Sequence, residues 1–350
     1  MGKGTRVLCP SYVKKFKCDG KACGSRCCRD WRIVLDEETR EKYLRLPAAA
    51  REEIFRHVDE SGQAFQMQKS GACPFLDENF LCKLQLKHGE EFLTAVCQSF
   101  PRVTYKLGAE VYSQAMTLTC PVAAILILLR DEPIDFEVVD ELKVRQVFDF
   151  TERLSMPAEE FINYQQAAIR ILQRRDLTIN QRLKELCEFF GEKISVPVDF
   201  DALNHAAALA EVFGEMYDAS LSVAKKNQLA EVYLTHKGNI LAQLRGSFAI
   251  VLENYLVNEF VMRCYPCAFV GGAAFNSRVF VTAYRAIEFA AVLTTISKRR
   301  LTVEDFLELL LSLNDKMDHS RGGMEAIKTF AELHDAEVFY SMMLEGSGDK

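Results

Sequence analysis

The chain has 350 residues, 49% hydrophobic and 26% charged, enough for one large core or two smaller ones. A net charge of −6 excludes a general nucleic-acid footprint, and the run Val122 to Leu129 is too short to cross a bilayer, so no membrane partner is expected. The charge is uneven: residues 1–30 hold eight basic and two acidic side chains, net +6, leaving −12 for the remainder.

Lys3, Arg6, Lys14 and Lys15 interrupt any apolar leader, so the expected compartment is the cytoplasm, where thiols stay reduced. Residues 1–36 read as motif and loop, closing on a short strand at Trp31–Leu35. Residues 37–60 read as helical, capped by Asp36, with Tyr43, Leu44, Leu46, Ile54 and Phe55 as apolar positions around Pro47. A polar loop over 61–72 leads to Cys73–Cys82, two short extended pieces around a turn at Asp77–Asn79. Glu90–Ser99 reads as a helix that stops before Pro101. Arg102–Leu118 reads as a hairpin turning near Gly108, and Pro121 opens a helix with Cys120 as its cap.

A linker, Arg130–Phe136, precedes a change of texture. Beyond about residue 140 the apolar period is about 3.6 throughout. Helices are expected from Pro157, from Thr178 to Gly191, over 201–224, 226–243, 247–263 and 277–296, from Thr302, and over 323–343, before a frayed Gly-Ser-Gly-Asp-Lys tail. The expected fold is mainly α. A cysteine-rich irregular region with a short β-hairpin, residues 1–135, packs on a C-terminal helical domain, residues 136–350.

Eight of the twelve cysteines fall between Cys18 and Cys120. Cys18, Cys23, Cys27 and Cys28 lie in one short polar motif, followed by Cys73, Cys82, Cys97 and Cys120. Single cysteines are good core residues, but grouping this dense, with polar neighbours and in a reducing compartment, points to thiolates converging on a metal before disulfides or packing. A basic N-terminus beside such a centre lowers thiol pKa and offsets cluster charge, or is simply a solvated face. At Cys120 the helix dipole favours a thiolate. All-sulfur donors suit zinc or iron–sulfur. Ligands spread over four segments, without paired Cys-x2-Cys hooks, favour an iron–sulfur cluster, and four thiols suffice for one. The other four hold a second metal, resolve disulfides, or pack. No dinucleotide, phosphate-loop or Gly-x-Ser-x-Gly signature is present, nor is the radical-enzyme spacing Cys-x3-Cys-x2-Cys.

The run Phe16-Lys-Cys18, with Cys23, Cys27-Cys28 and Trp31-Arg-Ile, resembles the N-terminal motif of the flagellin lysine N-methylase family. Cys73-Pro-Phe-Leu, Leu81-Cys82, Cys97 before Phe100-Pro-Arg102, and Thr119-Cys120-Pro121 continue the likeness in the same order. Glu253-Asn-Tyr-Leu-Val-Asn, Pro266, Tyr284-Arg285 and His319 extend it through most of the chain. The front part alone also resembles a broader group of small zinc- or iron-chelating proteins. The resemblance implies methyl transfer from S-adenosylmethionine to flagellin lysine ε-amines by a protein carrying a 4Fe-4S cluster. Two departures stand out: Phe100 replaces the family's usual Tyr, and Val122 replaces its usual Glu after Cys-Pro.

Lysine methylation needs a neutral amine and hence a proton acceptor. Asp30, Tyr105 and Tyr112 lie near the motifs, although structural roles serve each as well. Arg102 is a candidate to grip the donor's carboxylate bidentately, or to neutralise the cluster. Trp31 shields the cluster or stacks on adenine. Cys264-Tyr-Pro-Cys267 has redox spacing but lacks a thioredoxin-like context, and Cys9 and Cys187 read as packing. The rival functions are a non-catalytic zinc or iron chelator and a metal-stapled interaction scaffold.

Overall fold

The computed structural model describes residues 5–139, 144–192, 202–217, 222–319 and 322–333. The chain divides into two compact units. The first runs to Ala123 and takes in Asp135–Phe150; the second comprises Ala124–Ile134 and the chain from Thr151 onward.

The first unit is built on a mixed sheet of β1 (Arg6–Pro10), β2 (Arg102–Lys106), β3 (Val111–Met116), β4 (Phe136–Val139) and β5 (Phe148–Asp149), in the order β4-β1-β3-β2-β5. The expected hairpin is β2–β3, paired antiparallel with Thr104 opposite Gln114. The Gln114 amide donates to the Thr104 hydroxyl at 2.8 Å across it. The hairpin does not stand alone, as the sequence reading has it. β1 adds parallel to β3, β4 antiparallel to β1, and β5 parallel to β2. β1 carries a run of four buried residues with no alternation, so periodicity does not reveal it.

Parallel β1 and β3 require a long crossover, and that crossover carries every cysteine from Cys18 to Cys97. Along it lie α1 (Tyr12–Lys15), α2 (Gly20–Cys23), α3 (Glu37–Leu44), α4 (Ala48–Phe55), α5 (Lys83–His88) and α6 (Ala95–Ser99). The helix expected over 37–60 is two helices, because Pro47 ends the first and opens the second. The helix expected at Glu90–Ser99 is a 3₁₀ turn, Glu90–Phe92, and then α6, because the Thr94 side chain caps Cys97 N–H at 3.3 Å and restarts the helix. Trp31–Leu35 is not a strand; it contributes a single bridge, Val34 to Ala64. The crossover has its own apolar core of Ile33, Leu35, Tyr43, Ile54, Phe65, Phe75 and Leu84. Phe65 meets Phe75 edge-on at 4.8 Å, and the Tyr43 hydroxyl donates to the Phe92 carbonyl at 2.7 Å.

α7 (Pro121–Leu128) starts at Pro121, as expected. The second unit continues with α8 (Ala158–Leu172), α9 (Ile179–Phe189), α10 (Ala202–Tyr217), α11 (Val223–Ser247), α12 (Ala249–Met262), α13 (Gly272–Lys298), α14 (Val303–His319) and α15 (Gly323–Leu333). Thr178 and Gln181 form a capping box at the start of α9. α12 is buried all round from Val251 to Met262, and its two acids are each paired with arginine, Glu253 from outside the helix and Glu259 from its own C-cap. Glu253 accepts from Arg182 at 2.8 Å and from Arg175 at 2.9 Å. Glu259 accepts from Arg263 at 2.7 Å, and Arg263 also donates to Asp318 at 2.7 Å. On α13, Glu288 is bound by Arg245 at 2.8 Å, by the Tyr284 hydroxyl at 2.7 Å and by Arg285. α13 is long and apolar enough to cross a membrane, but 83% of its most apolar window is buried within the protein. The tail and the last part of the expected 323–343 helix lie outside the described residues, as does the side chain of His319.

Candidate metal centre

The motif from Cys18 to Trp31 is shaped by local rules. The Asp19 carboxylate caps α2 by accepting from Ala22 N–H at 3.1 Å. Gly24 and then Ser25 take left-handed backbone, at φ 60° and 49°, and reverse the chain into the 3₁₀ turn Arg26–Cys28. Ser25 holds that conformation because its hydroxyl donates to the Phe80 carbonyl at 2.5 Å. A Cβ on Gly20 would stand 2.7 Å from the same Phe80 oxygen, so only glycine permits the approach of these two segments. The Trp31 indole N–H donates to the Cys27 carbonyl.

Downstream segments are stitched onto this turn. Cys73 N–H donates to the Cys28 carbonyl at 2.8 Å, and Asp30 N–H to the Gly71 carbonyl at 2.9 Å. Leu76 bridges Cys82, and Lys83 N–H donates to the Phe75 carbonyl at 2.8 Å. Asp77 accepts from the N–H groups of Asn79 and Leu81, the turn expected between the two extended pieces. The eight motif cysteines thereby reach one another electrostatically. Charge on Cys27 acts on Cys18, Cys28, Cys73, Cys82, Cys97 and Cys120. All are free thiols. Cys9 on β1, Cys187 on α9 and the Cys264/Cys267 pair are not among the thiols that act most strongly on them.

Three of the sulfurs sit in backbone pockets of one design. Cys73 accepts from Phe75 and Leu76 N–H, Cys82 from Leu84 and Gln85, and Cys120 from Val122 and Ala123. Each is the N–H pair two and three residues ahead, which favours a thiolate. Burial opposes it and wins: Cys73 is pushed up to about 11, Cys97 to about 12 and Cys120 to about 11. The expectation that the helix dipole leaves Cys120 an activated sulfur is therefore overturned, because desolvation at a buried cap outweighs two N–H groups. The lowered thiol is Cys27, which accepts a hydrogen bond from the Cys28 thiol against the opposing effect of burial; Cys28 is correspondingly raised. The basic N-terminus does not produce a general fall in thiol pKa.

Buried, mutually repelling sulfurs in N–H pockets lack one ingredient of a stable thiolate set, a cation, and metal binding displaces their protons. All eight are sulfur donors, the chemistry that soft metals take. Among the described residues, no three His, Cys, Asp or Glu side chains stand close enough to hold a single ion as placed.

Arg102 begins β2, stacks over the Phe16 ring at 5.3 Å and lies within reach of the charge on Cys18. Burial lowers its pKa, and the charges of Glu90 and Cys18 oppose that fall. No hydrogen bond or ion pair holds its guanidinium among the described residues. Trp31 has its N–H committed to the Cys27 carbonyl and its side chain packed against the crossover core. Asp30 packs its carboxylate against Gly71, where a Cβ would stand 1.9 Å from Oδ1. Tyr105 packs on Phe150 with ring centroids 4.5 Å apart. Tyr112 lies opposite Lys106 on β3.

Sequence reasoning misses Gly20, Ser25 and the Asp36–Arg145 pair. Asp36 caps α3 at Thr39, accepts Ala95 N–H of α6 at 2.7 Å and pairs with Arg145 at 2.7 Å. Only the cap has a local signature, and it is the part the sequence reading finds.

By its likeness to curated relatives, the chain belongs to the flagellin lysine N-methylase family. It is 35% identical over 131 residues to the flagellar biosynthetic protein FliU of Salmonella muenchen, covering 34% of this chain and 75% of that protein. It is 31% identical over 159 residues to the lysine-N-methylases of Salmonella typhimurium and Salmonella choleraesuis, covering 42% of this chain and 38% of each. The match thus spans little more than a third of the length of the two methylases. No protein-family model matches the chain, and no solved structure matches it.

Proposed function

We propose that the chain is a protein-lysine N-methyltransferase that moves a methyl group from S-adenosylmethionine to lysine ε-amines of flagellin, in the cytoplasm before export, with an iron–sulfur cluster at or near the site. The observation that carries this reading is the convergence of thiols from four separated segments, three of them in paired N–H pockets, in a chain of the lysine-methylase family. Cys18, Cys23, Cys27, Cys28, Cys73, Cys82, Cys97 and Cys120 supply the ligands. Zinc is the alternative occupant.

S-adenosylmethionine supplies, when bound, a methyl group on a positively charged sulfur. The protein's part is to hold the donor and present a neutral amine to it. Arg102 suits the donor's carboxylate, because its planar fork lies over the Phe16 ring and, among the described residues, makes no hydrogen bond or ion pair. The amine must shed a proton before it attacks. With Val122 in place of a carboxylate, Asp30, Tyr105, Tyr112 and solvent are the candidate acceptors.

The test is mass spectrometry of flagellin incubated with the anaerobically reconstituted chain and the donor. Flagellin lysines gain methyl groups only when chain and donor are both present. Unchanged flagellin, with cluster-loaded protein and saturating donor, removes the substrate assignment. Failure to bind the donor as well favours the chelator.

A further inference from the structure

We propose that the basic face built by Lys15, Lys17, Lys21, Arg26 and Arg29 around the Phe80 ring docks an acidic segment of a protein substrate. The proposal rests on the reading that the chain acts on protein lysines. It names what flanks the lysine taken: aspartate and glutamate.

The first ground is unbalanced charge. Six cations stand from Lys14 to Arg29 against one acid, Asp19, whose carboxylate is committed to the Ala22 N–H at the start of α2. Among the described residues only Lys14 of the six has an ion-pair partner, Glu137 at 2.8 Å. Lys15, Lys17, Lys21 and Arg26 are exposed and Arg29 is half-buried. Elsewhere in this unit surface cations do find carboxylates: Lys42 holds Glu38, Arg45 holds Glu41 and Lys87 holds Glu53. A face of one sign without counter-charge attracts the opposite charge from solution. The second ground is Phe80. It is 39% exposed and takes left-handed backbone at φ 61°. A bulky side chain seldom adopts that conformation, and glycine or asparagine would make the turn more easily. The ring is firmly placed among the cations. The Ser25 hydroxyl and the close approach of Gly20 fasten the Phe80 carbonyl to the basic motif, and the Arg29 guanidinium lies 5.9 Å from the ring centroid. Aromatic rings and arginines are the side chains that protein interfaces favour.

The third ground is position. Lys15 and Lys17 flank Phe16, the ring over which Arg102 stacks, so the face runs up to the guanidinium proposed for the donor. A lysine ε-ammonium alone would be repelled here. Acidic neighbours supply the attraction that it lacks, and they hold the segment while the amine turns to the donor. Acids near the face leave it basic: Asp77 accepts the N–H groups of Asn79 and Leu81, Asp30 packs against Gly71, and only Glu78 joins them on the Phe80 turn. Extent and sign select the partner. The rest of the chain carries −12, so a long polyanion such as nucleic acid meets repulsion beyond the face. A short acidic segment does not.

The experiment uses the full chain and two fluorescein-labelled lysine peptides of equal length. In one, aspartates and glutamates flank the lysine; in the other, asparagines and glutamines replace them. Fluorescence anisotropy at low and at physiological salt gives the affinities. The acidic peptide should bind about tenfold more tightly than the neutral one, or better, and lose that margin as salt rises. The variant Lys17→Glu with Lys21→Glu and Arg26→Glu should abolish the preference. Phe80→Gly should weaken binding at a near-unchanged Tm, because glycine takes the left-handed backbone and only the ring is lost. Equal binding of the two peptides to the unaltered chain overturns the proposal, and this measurement stands even if a variant fails to fold. So does a folded triple variant that keeps the preference, or duplex DNA or an anionic phospholipid vesicle bound more tightly than the acidic peptide. Methylation is scored separately on the same peptides. A neutral peptide methylated as fast as the acidic one removes this proposal and leaves the methylase reading standing. An acidic peptide bound at this face but never methylated, while flagellin also stays unchanged, removes the methylase reading and leaves the docking face.

Discussion

The backbone N–H of Cys73 donates to the carbonyl of Cys28 at 2.8 Å, joining two metal-ligand candidates forty-five positions apart by main chain alone. A side-chain contact would survive small backbone shifts. A backbone bond fixes the positions from which the two sulfurs start. At the other end of the motif a side chain makes the tie, the Ser25 hydroxyl donating to the Phe80 carbonyl at 2.5 Å. The protein thus shapes the thiol set before any metal arrives, and changes that disturb the backbone seam should act on metal retention as much as on stability.

Gly20→Ala tests that seam. The added methyl meets the Phe80 carbonyl oxygen and the Ser25 hydroxyl, both at 2.7 Å, and the first is backbone that cannot rotate away. We expect a loss of about 1–3 kcal/mol from overpacking, with a fall in metal bound per chain. Gly238→Ala on α11 is the control of opposite sign. Nothing lies within 4 Å of its added methyl, so helix propensity alone should stabilise by about 0.5–1 kcal/mol. Thermal melts with metal analysis on the same samples decide; equal behaviour of the two variants would refute the account.

Asp36→Ala should loosen Cys97 without touching it. The carboxylate caps α3, receives the first N–H of α6 and pairs with Arg145. Cap and charge-assisted bonds together are worth about 2–3 kcal/mol. Burial pushes the Asp36 pKa up, but the N–H of Ala95, the groups of Thr39 and the guanidinium of Arg145 bring it below the ordinary range. Its contribution is therefore present above the unfolded carboxyl pKa and fades as pH falls below it. Asp36→Asn, which keeps one acceptor oxygen, should lie between wild type and alanine in denaturant unfolding.

These cases mark where the sequence is legible. Pro121, Thr178 and Gly108 announce their elements because capping and turn chemistry are local. The cysteine grouping is legible because short spacing is local too. The state of Cys120 is not. A cap position predicts a lowered pKa, and the opposite shift comes from burial, which sequence does not display. β1 is hidden because its pairing with β3 spans a hundred residues. The Gly20–Phe80 approach is hidden for the same reason, although Gly20 itself is in plain view. Glu253 and Arg285 carry part of the resemblance and sit in buried ion pairs of the helical unit.

The clearest of those pairs gives a pH prediction. Burial raises the pKa of Glu288, but Arg285 and Arg245, with the Tyr284 hydroxyl, overcome it and hold the carboxyl at about 2. The unfolded value is 4.5. Between those values the unfolded chain binds the proton and the folded chain does not, so stability falls as pH drops through this window. The contribution, about 3 kcal/mol, is fully present above pH 4.5 and lost by about pH 2. Glu288→Gln should cost about 3–5 kcal/mol near neutrality, since two buried guanidinium groups lose their counter-charge. It should also flatten the acid limb of the stability curve. A variant with an unchanged acid limb would show that other carboxylates set it.

Arg102→Lys separates donor binding from support of the thiol set. Lysine keeps the charge beside Cys18 but loses the planar fork and its stack on Phe16. If the guanidinium grips the donor's carboxylate, the KM for S-adenosylmethionine rises about tenfold or more, the loss of one charge-assisted hydrogen bond, while kcat and metal content hold. Arg102→Ala should then weaken donor binding further and, by removing the positive charge, also reduce metal retention at the exposed Cys18. A lysine variant with normal KM but less metal would place Arg102 with the sulfurs instead. The two readouts, donor affinity by calorimetry and metal per chain, move independently under the two roles, so one preparation of each variant distinguishes them.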